Sequence, residues 1–182
     1  MGSHAQRHVA RVVPPATEPL SLAEAKLFLR VDGSSEDSLI TDMITAVRES
    51  AEAYMRASII SQTWAVTYDD YAPTCTPLPF GPVQLLSSVI SADRAGNETT
   101  IDDGIYSLSA GNRAVQFDSV VMGHRVIIRY VAGYGDAGDV PEAIRQGMLL
   151  HLAALYDNRL EAVSVPEASR TLYHPYRDVR LA

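Results

Sequence analysis

Few residues in this chain have the types and spacing that chemistry needs. Gly133-Tyr134-Gly135-Asp136-Ala137-Gly138 matches G-x-G-x-x-G, the pattern whose backbone N–H groups can cradle a pyrophosphate. It follows a strand-like run, in which Val126, Ile128 and Tyr130 alternate with Ile127, Arg129 and Val131, and it precedes a helix-period segment. The full fingerprint needs a second parallel strand carrying an acid about 20 residues on. Here that distance falls on His151 to Asp157, still inside the helical segment. The glycines therefore read first as a flexible strand-to-helix connection. A small nucleotide-binding protein or enzyme using the Gly133–Gly138 loop is the alternative function.

The other candidates are weaker. His4, His8, His124, His151 and His174 show no H-E-x-x-H spacing, and Cys75 is the single cysteine. The sequence thus gives no support to a metal cluster, a disulfide framework or a local Cys–His pair. Asp69-Asp70 and Asp102-Asp103 are adjacent acids, and neighbouring strand residues point to opposite faces. A glycosidase pair instead faces one cleft, about 5 to 10 Å apart. These acids read as strand terminators. No G-x-S-x-G, P-loop or kinase set occurs. The expectation is no catalytic residue, no cofactor-binding residue and no metal ligand. One cluster carries binding chemistry: Tyr173, Tyr176, Arg177 and Arg180, residue types that supply energy at protein interfaces. The same residues could fold the tail onto its own core, with Tyr packing and Arg pairing to acids, and both readings stay open here.

The elements that would position these residues follow from local signals. Residues 5 to 17, ending in Pro14-Pro15, are polar and basic without periodicity and read as a flexible arm; Met1-Gly2-Ser3-His4, which reads equally as a tag remnant or as native sequence, is set aside. Ser21-x-x-Glu24 is a capping box that starts a helix near Leu22. A second helix runs from about Asp37 to about Arg56. Its stripe is Leu39, Ile40, Met43, Ile44, Val47, Ala51, Tyr54 and Met55, and Asp42, Arg48, Glu49 and Glu52 lie on the opposite face. Gln62 to Asp69 alternates with period two, and Pro73, Pro77, Pro79 and Pro82 then mark a loop or irregular edge. Val83 to Ala92 is a strand, Asp93 to Asn97 a turn, and Thr99 to Asp102 a short returning strand. Tyr106 to Leu108 and Ala114 to Phe117 flank Gly111-Asn112 as a hairpin. Asp139 and Glu142 bracket Pro141 as a second capping box, which places a long helix from Val140 with Ile144, Met148, Leu152 and Leu155 inward. Pro166 to Ser169 resembles the start of a further helical turn.

Helical ends around a β middle predict an α+β fold: N-terminal helices and a long C-terminal helix packed as a helical core, with an antiparallel β meander inserted between them. The expected division is an arm at 1–17 and a domain at 18–182, its helical part 18–60 and 139–182 and its β part 61–132. The 182 residues suffice for a real core, and 47% are apolar. A formal charge of −7 argues against a broad nucleic-acid-binding face. No apolar run reaches the roughly 18 residues of a membrane span. The N-terminus shows no signal-peptide core.

Taken together, several motifs resemble the head–tail connector (adaptor, or head-completion) proteins of tailed phages and prophages. They are Glu18-Pro19-Leu20-Ser21-Leu22-Ala23-Glu24-Ala25-Lys26 with Leu29-Arg30-Val31-Asp32, Asp37-Ser38-Leu39-Ile40, Ala51-Glu52-Ala53-Tyr54 and Ser61-Gln62-Thr63-Trp64. The likeness resumes at Tyr130 to Gly135, Val140 to Gln146, Tyr156-Asp157-Asn158-Arg159 and Pro175-Tyr176-Arg177. Between about 70 and 120 it holds only in general strand-and-loop character. The resemblance implies a structural virion protein without enzymatic activity or cofactor. It implies a homo-oligomeric ring, dodecameric on the portal, that extends the DNA channel and docks the next neck, stopper or tail protein. DNA would pass without sequence-specific binding, and no membrane is involved. The location implied is the head–tail junction of the virion, after assembly in the host cytoplasm. The N-terminal arm, the loop at Pro73 to Pro82 and the Tyr/Arg tail are the expected subunit or portal contacts.

Overall fold

The structure is a computed structural model and describes residues 6–158 and 164–178. It is mixed α+β, with antiparallel sheets and, among the described residues, four α-helices. The chain divides into two compact units. One takes the described residues through Pro15 together with Ser61–Gly133; the other takes Ala16–Ile60 and the described residues from Tyr134 on.

The first unit is all β. Strands β1 (Arg7–Val13), β2 (Gln62–Ala72), β3 (Cys75–Pro77), β4 (Val83–Ala92), β5 (Glu98–Thr100), β6 (Tyr106–Leu108), β7 (Ala114–Phe117) and β8 (Val121–Ala132) form two antiparallel sheets. Their orders are β1-β2-β8-β4-β5 and β3-β7-β6. The central strand β8 places Val126, Ile128 and Tyr130 opposite Tyr68, Val66 and Trp64 of β2. Its alternation buries all three completely, so strand period and core face agree. Val83, Val89, Val115 and Phe117 complete that core. The β6–β7 hairpin closes through Gly111 and Asn112, both at positive φ, where glycine and asparagine are the least strained residues.

Three expectations for this unit change. The strands do not form a meander: β8 lies between β2 and β4, and β3, β6 and β7 pair in a separate sheet. Residues 7–13 are not a flexible arm: they pair with β2, Val9 opposite Val66. The ordering interaction is a ladder to residues some sixty positions away, and a seven-residue strand has no local signal of that kind. Asp69 and Asp70 do not end β2 either; the strand continues to Ala72 across an irregularity where Asp70 takes φ 68°. Within the Pro-rich stretch, β3 pairs at the edge of the smaller sheet, the position that tolerates Pro77.

The second unit is helical: α1 (Leu22–Leu29), α2 (Asp37–Met55), α3 (Glu142–Asp157) and α4 (Glu167–Tyr173). Ser21 and Glu24 make the expected capping box at α1. Ile40, Ile44, Val47, Ala51 and Met55 of α2 pack with Ile144, Met148 and Leu152 of α3. Each of these side chains except that of Ala51 contributes roughly 1.5–3 kcal/mol on full burial. The second capping box shifts upstream. Asp139 accepts from the Asp136 N–H (3.0 Å) and holds a 3₁₀ turn at Ala137–Asp139, so α3 begins at Glu142 with Pro141 as its cap.

Candidate functional site

The sequence-nominated tail folds onto the helical unit. Tyr173, the last residue of α4, is fully buried. Gly147 of α3 makes room for it: a Cβ at that position would lie 2.5 Å from the Tyr173 ring. Tyr54 of α2 flanks the same ring at 6.1 Å between centroids. Past α4 a 3₁₀ turn, His174–Tyr176, brings Tyr176 edge-on to Tyr134 at 6.3 Å. The Arg177 guanidinium lies 5.4 Å above the Tyr54 ring, and the Asp178 N–H donates to the Met55 carbonyl (2.8 Å). Tyr173 is therefore a core residue, because an aromatic ring in a glycine notch gains more from packing than from exposure. Tyr176 is half-buried, His174, Pro175 and Arg177 are exposed, and Arg180 lies outside the described residues.

The α3–α4 contact is short of hydrogen bonds. Among the described residues, His151 Nδ1, Ser169 Oγ, Arg170 Nε and the Tyr173 hydroxyl are buried without a hydrogen-bond partner. Burial pushes the Tyr173 hydroxyl well above its usual range and pulls His151 below 6.5. A histidine held neutral in the fold protonates more readily once unfolded. Its contribution to stability is therefore complete above about pH 6.5 and is lost as pH falls below that value. The expected result is a melting temperature that drops between pH 7.5 and pH 5, with a smaller drop for His151→Leu. Thermal melts of the two proteins across that range measure it, and equal slopes would exclude the effect.

A second polar feature escaped sequence reading. Arg48 and Glu52, assigned to the solvent face of α2, are 3% and 8% exposed. Arg48 donates to Glu18 through Nε (2.7 Å) and Nη2 (3.2 Å), and to Glu52 through Nη1 (3.0 Å). Glu52 also accepts from the Ile59 N–H (2.8 Å). Burial alone would lower the Arg48 pKa; the hydrogen bond to Glu18 and the charges of Glu52, Glu18 and Glu49 outweigh it and raise it. The i,i+4 spacing of Arg48 and Glu52 was the available signal, but it is equally the pattern of an exposed pair.

The glycine loop has the wrong contents for a phosphate. Gly133 and Gly135 do adopt positive φ. The space beside Gly135, however, holds the Asp139 carboxylate, 2.4 Å from where a Cβ would stand. A fixed negative charge in that position repels phosphate, and β8 lies in an antiparallel sheet rather than a βαβ unit. Elsewhere Asp102 caps a turn through the Gly104 N–H (2.8 Å), Cys75 is exposed on β3, and His124 is exposed on β8. No group of three or more His, Cys, Asp or Glu side chains is placed to hold a metal among the described residues. No described helix is long and apolar enough to cross a membrane.

Solved structures that share this fold include chains from the neck and the virion of particles. The chain aligns with one in the neck of an empty GTA particle computed with C6 symmetry, at a TM-score of 0.83 and 21% identity, covering 96% of this chain and 97% of that one. It aligns with a chain from the virion of a native gene transfer agent particle at 0.80 and 23% identity, over 96% and 97%. A chain in the neck of a native GTA particle computed with C12 symmetry gives 0.69 and 20% identity, over 94% and 97%. No curated protein sequence matches. The model of the phage gp6-like head–tail connector proteins matches residues 19–120, from the α1 capping box to the end of the β6–β7 region. Since that match takes in more than half of the sequence, the chain belongs to the phage gp6-like head–tail connector family, whose members are structural connectors and not enzymes.

Proposed function

We propose that the protein forms a closed ring in the neck of a phage-like particle, directly beneath the portal. There it extends the DNA channel and presents a docking surface to the next neck or tail protein. The supporting observation is the fold shared, over nearly the whole of both chains, with proteins in neck reconstructions of C6 and C12 symmetry. A dodecamer on the portal is consistent with the latter. The net charge of −7 suits a channel wall: acids repel phosphate, so duplex DNA slides without being held. Tyr176 and Arg177, with exposed His174 and Pro175 and with Arg180 beyond the described residues, contribute to portal or neighbour contact. Tyr173 serves this from within by anchoring α4. The site of action is the head–tail junction of the virion, reached after assembly in the host cytoplasm.

Light scattering on a sizing column, run over a range of concentrations and again after mixing with the portal, tests this reading. The expected species is discrete and close to twelve 19.8 kDa chains, alone or on the portal. A chain that stays monomeric and never co-elutes with the portal overturns it. Removal of residues 174–182, which spares Tyr173, should reduce portal retention, and unchanged retention would exclude the tail contact.

A further inference from the structure

Among the described residues the larger sheet ends in two different open edges, β1 and β5. Their backbone directions follow from the ladders. The Asp69 N–H donates to the Gln6 carbonyl (3.2 Å), and hydrogen-bonded pairs alternate along an antiparallel ladder. His8 and Ala10 therefore turn their N–H and C=O toward β2, while Arg7 and Val9 turn theirs outward. At the other edge, the Asp93 N–H donates to Asn97 (3.0 Å) and the Ile101 N–H to Val89 (2.9 Å). By the same alternation Glu98 and Thr100 point their backbone groups away from β4. Both edges thus offer donors and acceptors at a two-residue spacing. Glu98, Thr99 and Thr100 are all exposed, as are Arg7 and His8.

The edges also differ in charge. Residues 6–13 carry Arg7, Arg11 and His8 and no acid. Around β5 stand Asp93, Glu98, Asp102 and Asp103 against the single Arg94. Charged edges normally discourage pairing with other chains. Here two β1 edges repel each other and two β5 edges repel each other, but β1 and β5 attract. The like pairings are penalised and only the head-to-tail one is favoured.

We propose that β1 of one copy adds to β5 of the next, joining the sheets edge to edge. This rests on the ring reading and names the subunit contact within it. Strand addition supplies main-chain hydrogen bonds, and the arginines and acids set which edges meet. A contact between two different patches leaves each copy with one of each still open, so it propagates until the ring closes.

Val9→Pro isolates this contact. The Val9 N–H points outward, so proline there removes no bond of the β1–β2 ladder, yet it removes a donor from the open edge. The expected result, by light scattering on the chain alone and with the portal, is a shift from the large species to the monomer, with circular-dichroism melting kept within a few degrees. Arg7→Glu with Arg11→Glu should give the same loss, and adding Glu98→Arg and Asp103→Arg to that chain should restore the large species by inverting both edges. A ring of unchanged mass in Val9→Pro and in the charge-reversed chain overturns the edge contact while leaving the ring intact. A wild-type chain that is monomeric in both settings overturns the ring and this contact together.

Discussion

Replacing Arg48 by methionine is expected to cost about 3–5 kcal/mol of unfolding free energy, the usual loss when one partner of a buried ion pair is removed. Its side chain is 4% exposed, and it neutralises Glu52, which is itself 10% exposed. Methionine fills much of the volume but leaves the Glu52 and Glu18 carboxylates without their cation. Glu52 cannot turn to solvent freely, because it also holds the Ile59 N–H where the chain leaves α2. In a chain of this size each kcal/mol lowers the midpoint by about 2–4 °C, so the melt should move by roughly 10 °C. Urea denaturation of Arg48→Met and of Arg48→Met with Glu18→Gln and Glu52→Gln separates charge from packing. The triple variant should regain part of the loss, since it leaves no uncompensated charge. A single-variant loss below about 1 kcal/mol would mean that the network is solvated in practice.

Arg48 also shows where sequence reading fails and why. Helical periodicity located α2 and most of its stripe: Ile40, Met43, Ile44, Val47, Ala51 and Met55 are buried, while Tyr54 is half-buried and Leu39, on the margin of the stripe, is exposed. Periodicity assigns polar residues to solvent by default, and that default breaks when another segment crosses the polar face. Here the segment before α1 supplies Glu18, and nothing within α2 encodes its arrival. β1 escaped for the same reason: its order comes from pairing with β2, not from its own residues. Local signals did better. The Ser21–Glu24 capping box, the Val83–Ala92 strand, the Gly111-Asn112 hairpin and the alternation of β8 each depend on chemistry within a few residues. The capping box placed at Asp139 and Glu142 shows the limit even there. Asp136 competes for Asp139 and wins it, which moves the start of α3 by two residues. For the tail, residue types alone supported an interface and a core equally, and the notch at Gly147 decides for the core at Tyr173 only.

Tyr173 yields two variants with opposite signs. Tyr173→Ala empties the notch between α3, α4 and Tyr54, and large-to-small changes of buried aromatics cost about 3–5 kcal/mol. Tyr173→Phe keeps the ring and deletes a hydroxyl that has no partner among the described residues. An unsatisfied buried polar group costs about 1–3 kcal/mol, so the phenylalanine variant should equal or exceed the wild type, by about 1 kcal/mol. Urea titration of the three proteins decides the signs. The pair also bears on assembly. Tyr176 and Arg177 extend from the end of α4, so the alanine variant should lose portal retention along with stability, while the phenylalanine variant keeps both. If Tyr173→Phe were fully stable yet lost portal retention, the hydroxyl would have to act in the complex. α4 would then have to leave its notch on binding, and the core assignment would describe only the free chain.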